Sequence, residues 1–392
     1  MFFISLLNLN PLISLIHLLP MNKVLFFFLT LFLISVETNA QGIDPVVQTI
    51  YLIGDTGKDT IPSEVLQMMA FETFDDSLST ILFLGDNVYP EGNNPARWKV
   101  AEKEAERKLF SQLELFQTFN GKIYMLPGNH DWSNGKPSGL RAVLHQQQLV
   151  DTWFNQKSTV RNRADGVYFK QSGLPGPMAT ELSAGVRLLL IDSHWWIQQD
   201  LFHPVKKTPG LNRRKTGRRA LQQLDSLLLE SELAGKLSIV AAHHPLASNG
   251  KHSHALQPLS ALLNYTPLHV LSWFGLSRWL RENLPQPRYK RYRKAVTTIL
   301  KKYPHAIYVS GHEHTMQYLR PEDLHLIISG SGYSTRPIDR YKYPATFMDD
   351  LQPGFFKLTV HQSGNVMLHA YGTRDRGAYW QTLIFRVSAQ TE

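Results

Sequence analysis

A chain of 392 residues, 43% hydrophobic and only 19% charged, is long enough to bury a full core and too apolar to be disordered throughout. It contains no cysteine, which excludes disulfides, thiolate metal sites and cysteine nucleophiles. The net charge of +9 suits anionic partners as well as plain solubility, and no nucleic-acid reading module accompanies it.

The chain opens on apolar sequence. From Met21 it runs Asn22-Lys23, an apolar stretch from Val24 to Val36, then Thr38-Asn39-Ala40. A positive start, an apolar centre and a small-residue end describe a secretory signal peptide over residues 1–40, with translation read from Met21. The alternative is one longer anchor that includes the apolar residues 1–20. The first reading predicts a secreted or periplasmic protein. Loss of residues 1–40 removes one base, Lys23, and one acid, Glu37, so the basic balance survives.

Beyond residue 47, short apolar runs end abruptly in loops of Gly, Asp, Asn or His. They are Thr49–Ile53, Thr80–Leu84, Lys122–Leu126, Arg187–Ile191, Leu237–Ala242, His305–Ser310 and Leu326–Ser329. Runs of this length and continuity predict buried strands. Between them, Asn94-Pro95 predicts the start of a helix carrying Trp98, Ala105, Leu109 and Leu113. Thr216 predicts the cap of another, with Leu221, Leu224 and Leu228 on one face. Near the end, Phe355–Val360 and Val366–Tyr371 flank a turn, and Thr382–Val387 follows, which reads as a hairpin plus one strand. Strands alternating with helices, then strands alone, predict an α/β sandwich of two packed sheets in a single domain, 41–392.

Five of the strand-end loops carry chemistry. They are Gly54-Asp55-Thr56-Gly57, Gly85-Asp86-Asn87-Val88-Tyr89, Gly128-Asn129-His130-Asp131, His243-His244-Pro245 and Gly311-His312-Glu313-His314. Loops at strand ends converge on one rim in open α/β folds. Two carboxylates, an amide and several imidazoles make an oxygen/nitrogen set suited to two adjacent cations. Paired imidazoles at i and i+2 project to one side if the Gly311–His314 segment is extended, and that alternation turns Glu313 away.

In this order the loops resemble the calcineurin-like metallophosphoesterase superfamily, across roughly residues 47–375. The resemblance implies a four-layer αββα sandwich of two mixed β-sheets flanked by helices. The superfamily's first motif is Asp-x-His; here Asp55 is followed by Thr56 and Gly57, so that histidine is missing, while Tyr89 stands three residues after Asp86. Loss of the histidine with gain of Gly-Asp-x-x-Tyr is similar to purple acid phosphatases, the tartrate-resistant type above all, as is His312-Glu313-His314-Thr315-Met316-Gln317-Tyr318-Leu319. The resemblance implies Fe(III) held by Asp55, Asp86, Tyr89 and His314. Asp86 then bridges to a divalent ion (iron, zinc or manganese) completed by Asn129, His243 and His312. It implies His130 and His252 as histidines beside the phosphate; His244 stands where that group often has an aromatic residue. The implied reaction is hydrolysis of small phosphate monoesters at acidic pH by in-line attack of a metal-bound hydroxide.

Other features fit less specific roles. Asp192-Ser193-His194-Trp195-Trp196 reads equally as a pocket wall and as a packed turn. Arg213, Arg214, Lys215, Arg218 and Arg219 read as a solvated helix start rather than a phosphate clamp. The stretch His254–Pro304 is an insertion relative to the small phosphatases; residues 269–294 put aromatics beside a basic run, which fits packing onto the domain, a lid, or peripheral membrane contact. Two other functions share the sequence pattern: a phosphodiesterase or nucleotide hydrolase on the same metal core, and a membrane-surface binding protein with a degenerate site. A complete set of candidate ligands argues against the latter.

Overall fold

The computed structural model describes residues 44–74, 78–95, 99–157, 174–198, 212–251, 286–338 and 342–387. Chain contacts divide the protein into Met1–Pro45 and the compact unit Val46–Glu392, whose architecture follows. The first sheet orders its six strands β13-β12-β11-β1-β2-β3. Here β1 is Val46–Ile53, β2 Ser79–Phe83, β3 Lys122–Met125, β11 Gly354–His361, β12 Asn365–Gly372 and β13 Gly377–Arg386. β1, β2 and β3 run parallel; β11, β12 and β13 add on antiparallel. The second sheet orders seven strands β10-β8-β9-β7-β6-β5-β4. Its parallel centre is β5 (Val186–Leu190), β6 (Leu237–Ala241), β7 (Ala306–Ser310) and β9 (His325–Ser329). β4 (Met178–Ser183), β8 (Met316–Leu319) and β10 (Ala345–Asp349) pair antiparallel at its margins.

Alternation along the strands builds the layers, because successive side chains leave opposite faces. Ile50 and Leu52 of the first sheet meet Leu188, Leu190, Ile239, Ile307 and Val309 of the second in a central core. Tyr51 and Ile53 turn outward, onto helices α1 (Glu64–Glu72), α2 (Lys99–Glu114) and α3 (Gly139–Lys157). Leu189, Val240 and Tyr308 turn outward on the other side, onto α5 (Arg213–Leu233) and α6 (Pro287–Leu300); the short α4, Ser193–Ile197, precedes these two. Helices, sheet, sheet, helices: the expected four layers are present. Each fully buried Leu, Ile or Phe contributes about 1.5–3 kcal/mol, so three stacked cores carry the stability.

Some boundaries differ from expectation. Among the described residues the second helix begins at Lys99, not at Pro95; the Asn94 side-chain amide donates to Ser138 Oγ at 2.8 Å and holds a loop there. Its buried face is nonetheless Ala105, Leu109 and Leu113, while Trp98 lies outside the described residues. α5 is capped by Asn212, whose Oδ1 accepts from Lys215 N at 3.1 Å, so Thr216 lies inside the helix. β4, β8 and β10 have no counterpart among the predicted runs: β4 and β10 are largely part-exposed, and β8 is four residues long. Of the 254–304 insertion, residues 254–285 lie outside the described residues. The remainder is α6, which packs on α4 and α5 through a face that buries Tyr289, Tyr292 and Val296.

Candidate metal centre

All five motif loops follow the carboxyl ends of strands, three from the first sheet and two from the second, and they meet at one rim. Bonds between the two sheets stitch them there: Gly54 N donates to Ser329 O at 2.7 Å, and the Ser329 hydroxyl donates to Leu52 O at 2.6 Å. Side chains cross as well. His243 Nδ1–H donates to Leu84 O at 2.8 Å, and Asp55 Oδ2 accepts from His312 N at 2.7 Å. Three non-glycine residues in these loops take left-handed backbone: Asp55 (φ 60°), Asp86 (φ 56°) and His312 (φ 71°). Such a conformation costs on the order of 1 kcal/mol each and persists where surrounding bonds over-determine it. Gly85, at φ 93°, has a second reason to be glycine: a Cβ would sit 2.6 Å from His243 Nδ1.

The donor atoms fall into two groups sharing Asp86. Tyr89 Oη lies 2.9 Å from Asp55 Oδ1, 3.1 Å from Asp86 Oδ2 and 3.3 Å from His314 Nε2. On the other side, Asn129 Oδ1 lies 3.0 Å from His243 Nε2 and 3.1 Å from His312 Nδ1, and those two nitrogens are 3.2 Å apart. His243 Nε2 stands 3.5 Å from Asp86 Oδ2. All seven candidate ligands named from the sequence are therefore brought together. His312 and His314 fall in different groups, as the resemblance implied, but not on one side of an extended segment: His312 turns back through its left-handed backbone.

The donor set fits cations. The Tyr89 phenol has one hydrogen but faces three acceptors, and two imidazole nitrogens face one amide oxygen and each other. Lone pairs in surplus at roughly 3 Å spacing are what two cations bonded at about 2.1 Å require. The carboxylates agree. Burial, reinforced by Asp86 and opposed by His243, pushes the Asp55 carboxyl up to about 8. Burial opposes charge on Asp86 too, but His243, His130 and His312 outweigh it and hold that carboxyl well below the usual range. Burial disfavours a charged His243, yet Asp86 and Asp55 raise it to about 10, and burial with the two aspartates pushes the Tyr89 phenol well above its ordinary value.

Around this core, His130 is partly exposed; its Nδ1–H donates to Pro90 O at 2.7 Å and its Nε2 faces Asp86 Oδ2 at 3.9 Å. His252 lies outside the described residues. Glu313 is buried beside Gly250 rather than among the donor atoms. His244 is buried, with Nδ1 2.8 Å from Ser193 Oγ and its ring 4.5 Å from that of His312. Asp131 is a residue to which the sequence attached no role. Its Oδ2 accepts from Gly128 N at 2.7 Å and Asn87 N at 3.2 Å, and its Oδ1 from Val88 N at 3.2 Å and Gln146 Nε2 at 3.0 Å. It ties the second loop to the third. Its place directly after Asn129-His130, within reach of Gly128 N three residues back, was the available signal. Trp195 and Trp196 line a separate cleft that shares no residue with the donor groups.

A model of the calcineurin-like phosphoesterase family matches residues 48–316, more than half of the chain. The chain belongs to that family. Solved structures sharing the phosphoesterase fold include a dimetal phosphatase from Danio rerio, 14% identical at a TM-score of 0.50 over 88% of this chain and 100% of that one. A purple acid phosphatase from yellow lupin seeds is 16% identical at 0.50 over 86% of this chain, which spans about half (53%) of the lupin protein. The anchor in the inner membrane complex of Plasmodium is 16% identical at 0.51, over 88% and 91%. Likeness at these identities is one of fold. No curated protein matches the chain. The phosphoesterase is a hydrolase by family, with a cluster of Asp and His side chains able to hold metal ions.

Proposed function

We propose that this phosphoesterase is an exported monoesterase of the purple acid phosphatase type. Asp55, Asp86, Tyr89 and His314 hold a ferric ion; Asp86, Asn129, His243 and His312 hold a divalent one, either iron, zinc or manganese. One observation carries the reading: the Tyr89 hydroxyl occupies the place beside Asp55, Asp86 and His314 in a chain whose first motif lacks a histidine. A phenolate is a hard donor that favours Fe(III) over softer divalent ions. The fold shared with a purple acid phosphatase agrees with it.

Ions held by these residues would supply positive charge for phosphate oxygens and acidify water. The chain's own groups do the rest. Asp86 reaches both donor groups through one oxygen, Oδ2. The neutral Asn129 amide leaves the second group less negative than a carboxylate would. His130 is fixed in tautomer by Pro90, so its Nε2 carries the proton when the ring is charged. From there it offsets phosphate charge or delivers that proton to the leaving alkoxide. His252 is the second such histidine by resemblance. Export rests on the signal-like residues 21–40.

Metal content and the visible spectrum of the purified protein test this, with Tyr89→Phe as control. Iron and a visible band that vanishes in the variant are expected, with aryl phosphate turned over faster than bis-aryl phosphate. Absence of iron, or a band that survives Tyr89→Phe, sinks the ferric assignment; faster diester turnover sinks the monoesterase. Recovery of the protein from the cytoplasm with residues 21–40 intact sinks export.

A further inference from the structure

Between α4 and the starts of α5 and α6 lies an open cleft of about 940 Å3. Its wall is basic: Arg213, Arg214 and Arg218 come from α5, Arg288 and Arg291 from α6. Both helices point their amino ends here, and neither has an acidic residue in its first turn. Partial positive charge at a helix start favours acids by about 0.3–1 kcal/mol each, so arginines at two such starts oppose folding unless an anion offsets them. Arg214, Arg218 and Arg291 are exposed and form no ion pair among the described residues. Arg213 is different. Its guanidinium donates to Trp196 O at 2.6 Å and lies over the Trp195 ring, fastening α4 to α5.

The floor is aromatic. Trp196 lines the cavity against Gly217, where a Cβ would meet the indole at 2.8 Å, and its ring lies 5.9 Å from that of Tyr292. The recess therefore sets exposed guanidinium groups from two helices around an aromatic wall. Guanidinium groups pair with phosphate through two parallel N–H donors each, and several on one wall select for several phosphates. The volume accommodates a ligand of nucleotide size.

We propose that this cleft binds a small ligand carrying several phosphates, at a site separate from the metal centre. The phosphates face Arg214, Arg218, Arg288 and Arg291, and the ligand's scaffold rests on Trp196. A soluble oligophosphate and a polyphosphorylated lipid headgroup share this chemistry.

Calorimetric titration of the full-length protein with inorganic tripolyphosphate decides the matter, with excess orthophosphate present to occupy the metal centre. The comparison protein is the triple variant Arg214→Glu, Arg218→Glu, Arg291→Glu. One tripolyphosphate bound per chain is expected, weakened about tenfold or more in the triple variant. Flotation with vesicles containing phosphatidylinositol bisphosphate forms a second arm. Binding in that arm alone, lost in the variant, supports a lipid headgroup as the source. Equal binding by parent and variant, or binding in neither arm, overturns the proposal. Should the triple variant melt below the parent, Arg218→Gln replaces it, with the same loss expected in smaller measure and undiminished binding counting against the site.

Discussion

Asp131 shows how one buried side chain organises a centre it does not enter. Its two oxygens accept from three backbone amides on two loops and from the Asn87 and Gln146 side chains, and the residue is fully buried. Asp131→Asn keeps the shape but turns an NH2 group toward donors that then have no acceptor. Each buried donor left unpaired costs about 1–3 kcal/mol, so the variant is expected to lose about 3 kcal/mol by urea denaturation. Metal affinity should fall with it, because Asn87 and Val88 sit between Asp86 and Tyr89. A loss below about 1 kcal/mol would show that water replaces the carboxylate there. The contrast with Asp55 and Asp86 explains what the sequence made legible. Those two stand alone after apolar strands, where the pattern itself marks a rim. Asp131's local bond to Gly128 N hints at a turn, but its ties to the second loop span 43 and 44 positions, and Ser193 meets His244 across 51, which no local pattern encodes.

At the scale of elements, α6 deserves its place in the insertion because of what it holds. Tyr289 Oη donates to Pro245 O at 2.6 Å, and Arg293 donates to Leu246 O. Tyr292 meets Tyr308 Oη at 3.0 Å, and Tyr308 in turn donates to His244 O at 2.7 Å. Three bonds thus fix the loop that starts at His243. The aromatics beside basic residues left packing onto the domain, a lid and membrane contact all open in the sequence; the helix packs, burying Tyr289, Tyr292 and Val296. Its partner loop lies over 40 positions earlier, so the helix's role was not readable at all. Tyr289→Phe removes one hydroxyl and keeps the ring. Loss of a supporting bond behind a metal-ligating histidine typically costs about tenfold or more in metal affinity. If metal is held there, the variant should release it to a competing chelator at about a tenth of the parent's concentration threshold, while its melting temperature shifts little. Unchanged release would mean that Tyr308 and Arg293 suffice.

For the molecule as a whole, the two donor groups draw on both sheets: Asp55, Asp86, Tyr89 and Asn129 from the first, His243, His312 and His314 from the second. Cations held at this rim would cross-link the two sheets at one end of the central core. Free metal at about 1,000 times its dissociation constant stabilises the native state by about 4 kcal/mol, so chelation should lower the melting temperature by roughly 10 °C. The size of that fall depends on pH, and its sign follows from the site. The Asp55 carboxyl is raised to about 8, Asp131 to about 6 and His243 to about 10. A raised folded-state value gives stability that is complete below the ordinary value and is lost as pH climbs through the raised one. Asp86, held low, contributes in the opposite sense, and its share is lost only below the ordinary carboxylate range. Without metal, the protein should therefore be most stable near pH ~4–6 and weaken steadily toward pH ~9. Cations select the deprotonated forms, so the loaded protein escapes that decline. Calorimetric melting with and without chelator, at pH 5 and pH 8, should show the larger gap at pH 8. A gap that is equal, or wider at pH 5, would mean that the protons on Asp55 and His243 do not stand in for the metal, and the two-cation reading of this rim would lose its electrostatic basis.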